Sequence, residues 1–415
     1  MRVYSGAAWE RGMKREEILL RAYSKQISWI EAADILGMSY RHLQRVREAY
    51  ADAGFDGLHD KRVGKESPRR IPVATVEEVL MLYRDRYFDF NIRHFHEKLS
   101  EEHSIDLSYT WVKTLLQGAG LVAKQKGRKK HRRRRERKPL KGMMLHIDGS
   151  HHRWFGDDRW HDLIVILDDA TGEIYYAQLV EAESTATIMT AIRQVIEREG
   201  IFCSLYSDRA SHFWHTPKAG EPVDRQALSQ VGRALRDLSI KLIPAYSPQA
   251  RGRSERSFRT WQGRLPQELR IRGIKDVDEA NRFLKRTYIR EFNRKFTVQS
   301  AEPDVSAFVS CTRTDLDRVF SIQTERTVNR DNTVRYNNVS LQIDQQSWRR
   351  SMDGCRITIY QHLNGIITIG FGPQELGRYT ADGQPLSRSV SLRRDLKPKR
   401  RAAPVSNRQT GHLMC

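Results

Sequence analysis

Cysteine is scarce in this chain, and acid is outnumbered. Four cysteines (Cys203, Cys311, Cys355 and Cys415) occur in 415 residues, far apart and without a CxxC pair. That argues against a disulfide framework and a cysteine zinc site, and points to a reduced, cytoplasmic protein. Long apolar runs are missing too. The longest, LIVIL at 163–167, falls far short of the ~20 residues a membrane span needs. The opening stretch MRVYSGAAWERGMKREE holds no apolar segment that could act as a signal peptide. Asp and Glu number 51 against 72 Lys and Arg, a formal net charge of +21. Such an excess points to a polyanionic partner, nucleic acid before a membrane surface. With 39% hydrophobic residues the chain can still build packed cores.

Residues 14–53 read as three helices: REEILLRAYSKQ, SWIEAADIL and, after the turn GMS, YRHLQRVREAYADAG. Ser39 is placed to cap the third helix and Gly54 to stop it. Helix, short glycine turn and polar-faced helix make a helix-turn-helix pattern over a first domain, 1–58. Tyr40, Arg41, Gln44 and Arg45 sit at the start of its last helix, where contacts to base edges arise. An ordinary helical hairpin is the alternative, which the surrounding charge disfavours. A glycine- and proline-punctuated linker leads to a second all-α unit, 59–123, with Ser108 capping YTWVKTLLQGAGL and Tyr109, Thr110 and Lys113 expected on its surface. His94, His96 and His103 lie in this unit with no cysteine near, so they read as ordinary surface or core histidines.

Residues 124–141, KQKGRKKHRRRRERKPLK, contain one acid. The run is too charged to pack, and it reads as an extended basic linker whose Arg132, Arg133, Arg134 and Arg135 can meet phosphate. Then the pattern turns to strands. MMLHIDGS, HDLIVILDDATG and EIYYAQLVEA are three β segments, and STATIMTAIRQVIEREG is a helix capped at Ser184 and stopped by Gly200. IFCSLYSD is a strand, RQALSQVGRALRDL a helix, IKLIPAY a strand, and a long helix starts near Arg251. Pro266 should kink or end that helix's first segment. Three strands followed by alternating helices and strands fit an α/β, ribonuclease-H-like core over 142–300, closed by the helical DVDEANRFLKRTYIREFNRKF. Short β segments over 315–385, with turns at Asn337-Asn338 and Asn364-Gly365, read as a small all-β barrel or sandwich. Residues 386–415 read as a basic, disordered tail.

Three acids are placed where that fold would gather them. In MMLHIDGS, Met143, Leu145 and Ile147 share one strand face, and His146 and Asp148 the other. Asp208 ends IFCSLYSD at the carboxyl edge, where open α/β sheets hold ligands. Glu255 stands among Arg251, Arg253, Arg256 and Arg259. The buried stripe of its helix is Phe258, Trp261, Leu265 and Leu269, and Glu255 falls about 90° from the centre of that stripe. Phosphodiester chemistry wants such a set. Two Mg²⁺ ions ~3.5–4 Å apart can serve both the attacking and the departing oxygen, and Mg²⁺ prefers hard carboxylate oxygens. Asp168 and Asp169, before Ala-Thr-Gly, read instead as turn residues that bond their own backbone. Asp157 and Asp158 read the same way.

The blocks LHIDGSHHRWF, LYSDRASHF and SPQARGRSERSFRTWQGRLPQELR, followed by REFNRKF, resemble the integrase-core signature of DDE transposases. The resemblance is nearest to the ISNCY-type insertion-sequence transposases of prokaryotes and spans nearly the whole chain. It implies Asp148, Asp208 and Glu255 as catalytic residues and metal ligands, two Mg²⁺ ions (Mn²⁺ as the alternative) and arginines on phosphate. It implies as partners the terminal inverted repeats and target DNA, with the protein at least a dimer on DNA, in a prokaryotic cytoplasm with the nucleoid. Forty-six residues separate Asp208 from Glu255, more than in the best-known retroviral-type cores, and the surplus falls in RASHFWHTPKAGEPVD. Two other functions compete. A DNA-binding regulator needs no carboxylate at a packed sheet's edge, and a structure-selective nuclease has little use for two sequence-reading helical units.

Overall fold

The computed structural model describes residues 6–59, 70–124, 136–215, 223–246, 252–312 and 315–386. Arg132 to Arg135, Arg251 and all but the first residue of the expected tail lie outside these. The chain divides into two compact units, 1–85 and 86–415, and each is described by itself.

In the first unit, α1 (Gly6–Tyr23), α2 (Trp29–Ile35) and α3 (Tyr40–Ala53) enclose a small core of Ile18, Leu19, Ala22, Ala32, Ala33, Leu43, Val46 and Leu58. The helix-turn-helix follows from its caps. Ser28 and Glu31 form a reciprocal capping box at the start of α2. Gly37 turns the chain at φ 62°, and the Ser39 side chain accepts from the His42 N–H to open α3. Gly54, at φ 60°, ends it. Helix α4 (Val73–Asp85) completes the unit.

The second unit begins with α5 (Ile92–His103) and α6 (Tyr109–Gly118), capped by Asn91 and Ser108. The segment expected to form a second helical domain is therefore shared between the two units. Next come β1 (Leu145–His152), β2 (His161–Asp168), β3 (Ile174–Val180), α7 (Thr185–Glu199) and β4 (Ser204–Ser207). A short hairpin of β5 (Trp214–His215) and β6 (Asp224–Leu228) follows, then α8 (Gln230–Asp237) and β7 (Lys241–Pro244). The sheet order is β3-β2-β1-β4-β7, with β1 to β3 antiparallel and β4 and β7 parallel to β1. This is the ribonuclease-H-like arrangement.

Strand alternation divides the core in two. Leu145, Ile147, Ile164 and Ile166 face α7 and α8 with Ile188, Ile192, Val231 and Leu235. Leu163, Val165 and Leu167 face the other way, onto Phe258, Trp261, Leu265 and Phe292. Those last residues come from α9 (Gly252–Gln262), α10 (Leu265–Ile271), α11 (Val277–Phe283) and α12 (Ile289–Phe296), with one π turn between α11 and α12. Pro266 ends the first helix as expected, since it occupies the opening turn of α10.

Helix α5 is pinned to this layer by buried charge. Glu97 takes two hydrogen bonds from Arg264 at 2.7 and 2.9 Å, and Lys295 adds a third at 3.1 Å. Glu268, buried, accepts from His94 at 2.7 Å, from Lys98 at 2.8 Å and from Arg272. Buried charges persist only when paired in this way.

Two expectations are corrected. The helix expected over 225–238 begins only at Gln230. Ser229 caps it, and Asp224 to Leu228 pair with Trp214 and His215 as β6. Residues 136–141 of the expected linker are not free. The Arg137 guanidinium donates to the Asp169 and Ala170 carbonyls, the Lys138 N–H to the Asp169 carboxylate and Lys141 to Glu173. Charge here is satisfied by the β2–β3 turn.

The strand-rich C-terminal region holds a four-stranded sheet, β13-β12-β11-β8, and the hairpin β9–β10 around one core. These are β8 (Ile322–Thr327), β9 (Thr333–Tyr336), β10 (Val339–Gln342), β11 (Arg356–Gln361), β12 (Ile367–Phe371) and β13 (Gln374–Tyr379). Asn337 and Asn338 both take positive φ at the hairpin turn, 45° and 62°.

Candidate active site

Asp148 lies on β1 opposite Val165 of β2, 8% exposed at the end of a buried run from Leu145. Across the parallel pairing, Leu145 stands beside Leu205 and His146 beside Tyr206. Asp148 and Asp208 are each three residues beyond the paired leucines, so they reach the same level on neighbouring strands. They also share a face, which the His146 and Tyr206 rings mark at 5.1 Å. Asp208 is one residue past β4, and its Oδ1 accepts the Ala210 N–H at 3.0 Å.

Helix α9 supplies the third acid. Gln262 donates to Ser150 Oγ at 3.0 Å. Ser150 lies two residues from Asp148 and so on the same strand face. Glu255 is seven residues before Gln262, two turns back and only ~20° out of line. It therefore lies on the flank of α9 that meets β1. Glu255 is exposed. Among the described residues no ion pair joins it to Arg256 or Arg259, which are also exposed. The Arg253 side chain is outside the described residues.

The donor set is one of hard oxygens, which suits a divalent ion such as Mg²⁺. That ion is typically held by one or two carboxylates, with water and phosphate completing its shell. Among the described residues no three His, Cys, Asp or Glu side chains already converge on one point. Asp148 and Asp208 share a level and a face of the sheet, and Glu255 is carried on the adjoining flank of α9.

The rival acids are engaged in hydrogen bonds and ion pairs. Asp168, fully buried, accepts from the Gly142 and Thr171 N–H groups and the Thr171 hydroxyl. Burial raises its carboxyl above the usual range, against those bonds. Asp169 takes the Lys138 N–H and His146 Nε2. Asp157 pairs with Arg159 and Asp158 with Arg153. The three histidines are also accounted for: His94 on Glu268, His96 on the Leu107 carbonyl and His103 beside the Tyr87 hydroxyl.

On the helical elements, Tyr40, Arg41, Gln44 and Arg45 are all exposed. Lys113 and Thr110 are exposed as well, but Tyr109 is half-buried, with its ring against His96 and beneath Arg93. It is less available than expected.

Sequence reading missed a pair beside the aspartates. His212 Nε2 meets Glu183 Oε1 at 3.0 Å. The bond to Glu183 holds the imidazole above its ordinary pKa, against burial, and the Asp208 charge adds to this. Neither residue carried a local signal, because Glu183 reads as an acid before a capped helix and His212 as a loop residue.

A helix-turn-helix domain family matches residues 14–66. The protein named "Putative transposase y4bF", from Sinorhizobium fredii, is 34% identical over 297 residues, covering 71% of this chain and 64% of that protein. The "Transposase for insertion sequence IS1202" of Streptococcus pneumoniae is 28% identical over 295 residues, covering 63% of each. The chain thus spans just under two thirds of the length of these relatives. Among solved structures, a simian T-cell lymphotropic virus intasome bound to a PP2A regulatory subunit matches at TM-score 0.32 and 12% identity, over 64% of this chain and 86% of that one. The HTLV-2 integrase catalytic core with magnesium matches at 0.27 and 18%, over 34% and 82%. The strand order, not these superpositions, carries the fold assignment. The chain is thus similar to proteins named as transposases, and it carries a helix-turn-helix domain and an α/β core of ribonuclease-H-like strand order.

Proposed function

We propose that this protein is a DDE transposase of the ISNCY type that binds the terminal inverted repeats of its element, cleaves there and joins the ends to target DNA. The observation that carries the reading is the placement of Asp148, midway along β1, and Asp208, just past the carboxyl end of β4, level and on one face, with Glu255 on the adjoining flank of α9. Asp148, Asp208 and Glu255 would hold two Mg²⁺ ions, with Mn²⁺ as the alternative. When bound, such ions supply activation of the attacking oxygen and neutralisation of the departing one.

The remaining work falls to the chain. Tyr40, Arg41, Gln44 and Arg45, with Tyr109 and Lys113, read the element end. Arg132 to Arg135 of the basic linker, and Arg251, Arg253, Arg256 and Arg259 around Glu255 in the sequence, hold phosphates. In the first step water displaces the 3′ oxygen at the element end. In the second, that 3′ hydroxyl attacks a target phosphodiester, so one phosphodiester forms as another breaks. Both ends must be held together, which calls for at least a dimer on DNA. The place of work is the nucleoid of a prokaryotic cytoplasm.

The test is to incubate purified protein with element-end DNA, target plasmid and Mg²⁺. Joined product supports the reading. Binding without cleavage would leave a regulator, and cleavage without joining a nuclease.

A further inference from the structure

We infer that Glu183 and His212 form a clasp that sets the separation of Asp148 and Asp208, with Gly149 as the seat on which it closes. The inference rests on the metal-holding role given to the two aspartates above. It begins from a gap in the sheet. The pairing of β1 with β4 extends only over Leu145–Leu205 and His146–Tyr206. The regular β1–β4 ladder therefore stops two residues short of Asp148 and Asp208.

The clasp spans that gap from behind. Gly149 faces the α7 side, opposite to Asp148. A Cβ there would lie 2.2 Å from Glu183 Oε2, so the carboxylate rests against the bare backbone beside Asp148. Glu183 is itself anchored to β2 and, through it, to β1. Its N–H donates to Asp162 Oδ2 at 2.8 Å, and Asp162 Oδ1 meets His151 of β1 at 2.7 Å.

His212 is the other jaw. It belongs to a closed turn that starts at Asp208. Asp208 Oδ1 accepts the Ala210 N–H, and the Ala210 carbonyl accepts the N–H groups of Phe213 and Trp214, each bond at 3.0 Å. The Trp214 indole then donates back to Ser207 Oγ at 3.1 Å. A bond that holds His212 against Gly149 therefore holds Asp208 relative to Asp148. Glu183 and His212 are positioning residues. They act through the aspartates, as outer partners of metal ligands commonly do.

The experiment uses full-length protein on pre-cleaved element ends. Mg²⁺ binding is followed by calorimetry and strand joining is measured across a Mg²⁺ series, for His212→Ala, Gly149→Ala and His212→Gln. The Mg²⁺ concentration for half-maximal binding and joining should rise roughly tenfold or more in the first two variants. His212→Gln, which keeps a donor for Glu183, should fall between them and wild type. End-binding and the metal-free melting temperature should stay near wild type. Unchanged Mg²⁺ affinity in both Gly149→Ala and His212→Gln would overturn the inference, whatever happens to His212→Ala. A lowered melting temperature with an unchanged Mg²⁺ series would also overturn it, leaving the pair a mere structural tie. Asp148→Asn is the separate control. If it keeps wild-type Mg²⁺ binding, the metal reading itself fails, independently of the clasp.

Discussion

The Gln262 amide donates to the Ser150 hydroxyl at 3.0 Å, and this one bond shows which flank of α9 lies along β1. Because Glu255 is two turns earlier on that flank, the contact links an exposed carboxylate to the strand that bears Asp148. Gln262→Ala should cost about 1 kcal/mol of stability, the ordinary worth of such a bond. It should lower strand joining several-fold while end-binding holds. Thermal unfolding and joining by one preparation check this, and normal joining would show that the bond does not set the position of α9.

Asp148→Asn and Asp208→Asn should each abolish cleavage and joining with end-binding intact, since an amide oxygen lacks the charge that Mg²⁺ requires. A gel assay for both steps, beside a binding titration, decides it. Substantial joining in either variant would remove that aspartate from the site.

Recognition should belong to α3. Arg41→Ala and Gln44→Ala in the full chain should erase the preference for element ends over scrambled DNA in competition. Both should leave a general affinity that falls steeply with salt, as expected when many phosphates are neutralised together. A preserved preference would move sequence reading elsewhere.

The ionic pinning of α5 should appear in acid. Burial would raise the Glu97 carboxyl, but Arg264 and Lys295 outweigh it and hold it down to about 2, from an ordinary 4.5. A carboxyl lowered in the folded state stabilises fully above its unfolded value, and that stability is lost as pH falls through the folded one. The pairing should thus contribute about 3 kcal/mol near neutrality, fading between pH 4.5 and 2. Denaturant unfolding across that window should show a shallower decline for Glu97→Gln than for wild type. Parallel curves would mean that the pair is already screened.

What the sequence shows clearly is what short-range physics dictates. Ser39, Ser108 and Ser184 cap the helices they precede, and Pro266 divides α9 from α10. The alternation in LHID separates Leu145 and Ile147 from Asp148. Failures came where a distant partner decides. RQAL has helical propensity, yet β6 forms because Trp214 pairs with it. Strand β13 likewise gains its strand character less from its glycine-bearing QELGRY than from pairing with β12. Glu97 and Arg264 are 167 residues apart, and His94 and Glu268 174. No local pattern announces such pairs, or the meeting of Glu183 with His212.

The most direct test of the whole account is Glu255→Gln, measured as strand transfer of pre-cleaved ends in Mg²⁺ beside end-binding by the same preparation. If Glu255 were only a partner for neighbouring arginines, the loss would be the ~0.3–0.5 kcal/mol of an exposed helical pair, and joining would stay near normal. If it completes the metal site, joining should fall by several orders of magnitude. The fold should persist, and DNA affinity should hold or rise as a negative charge leaves the phosphates' neighbourhood. Joining above roughly a tenth of the wild-type rate, equivalent to less than about 1.4 kcal/mol of lost transition-state stabilisation, would contradict the account.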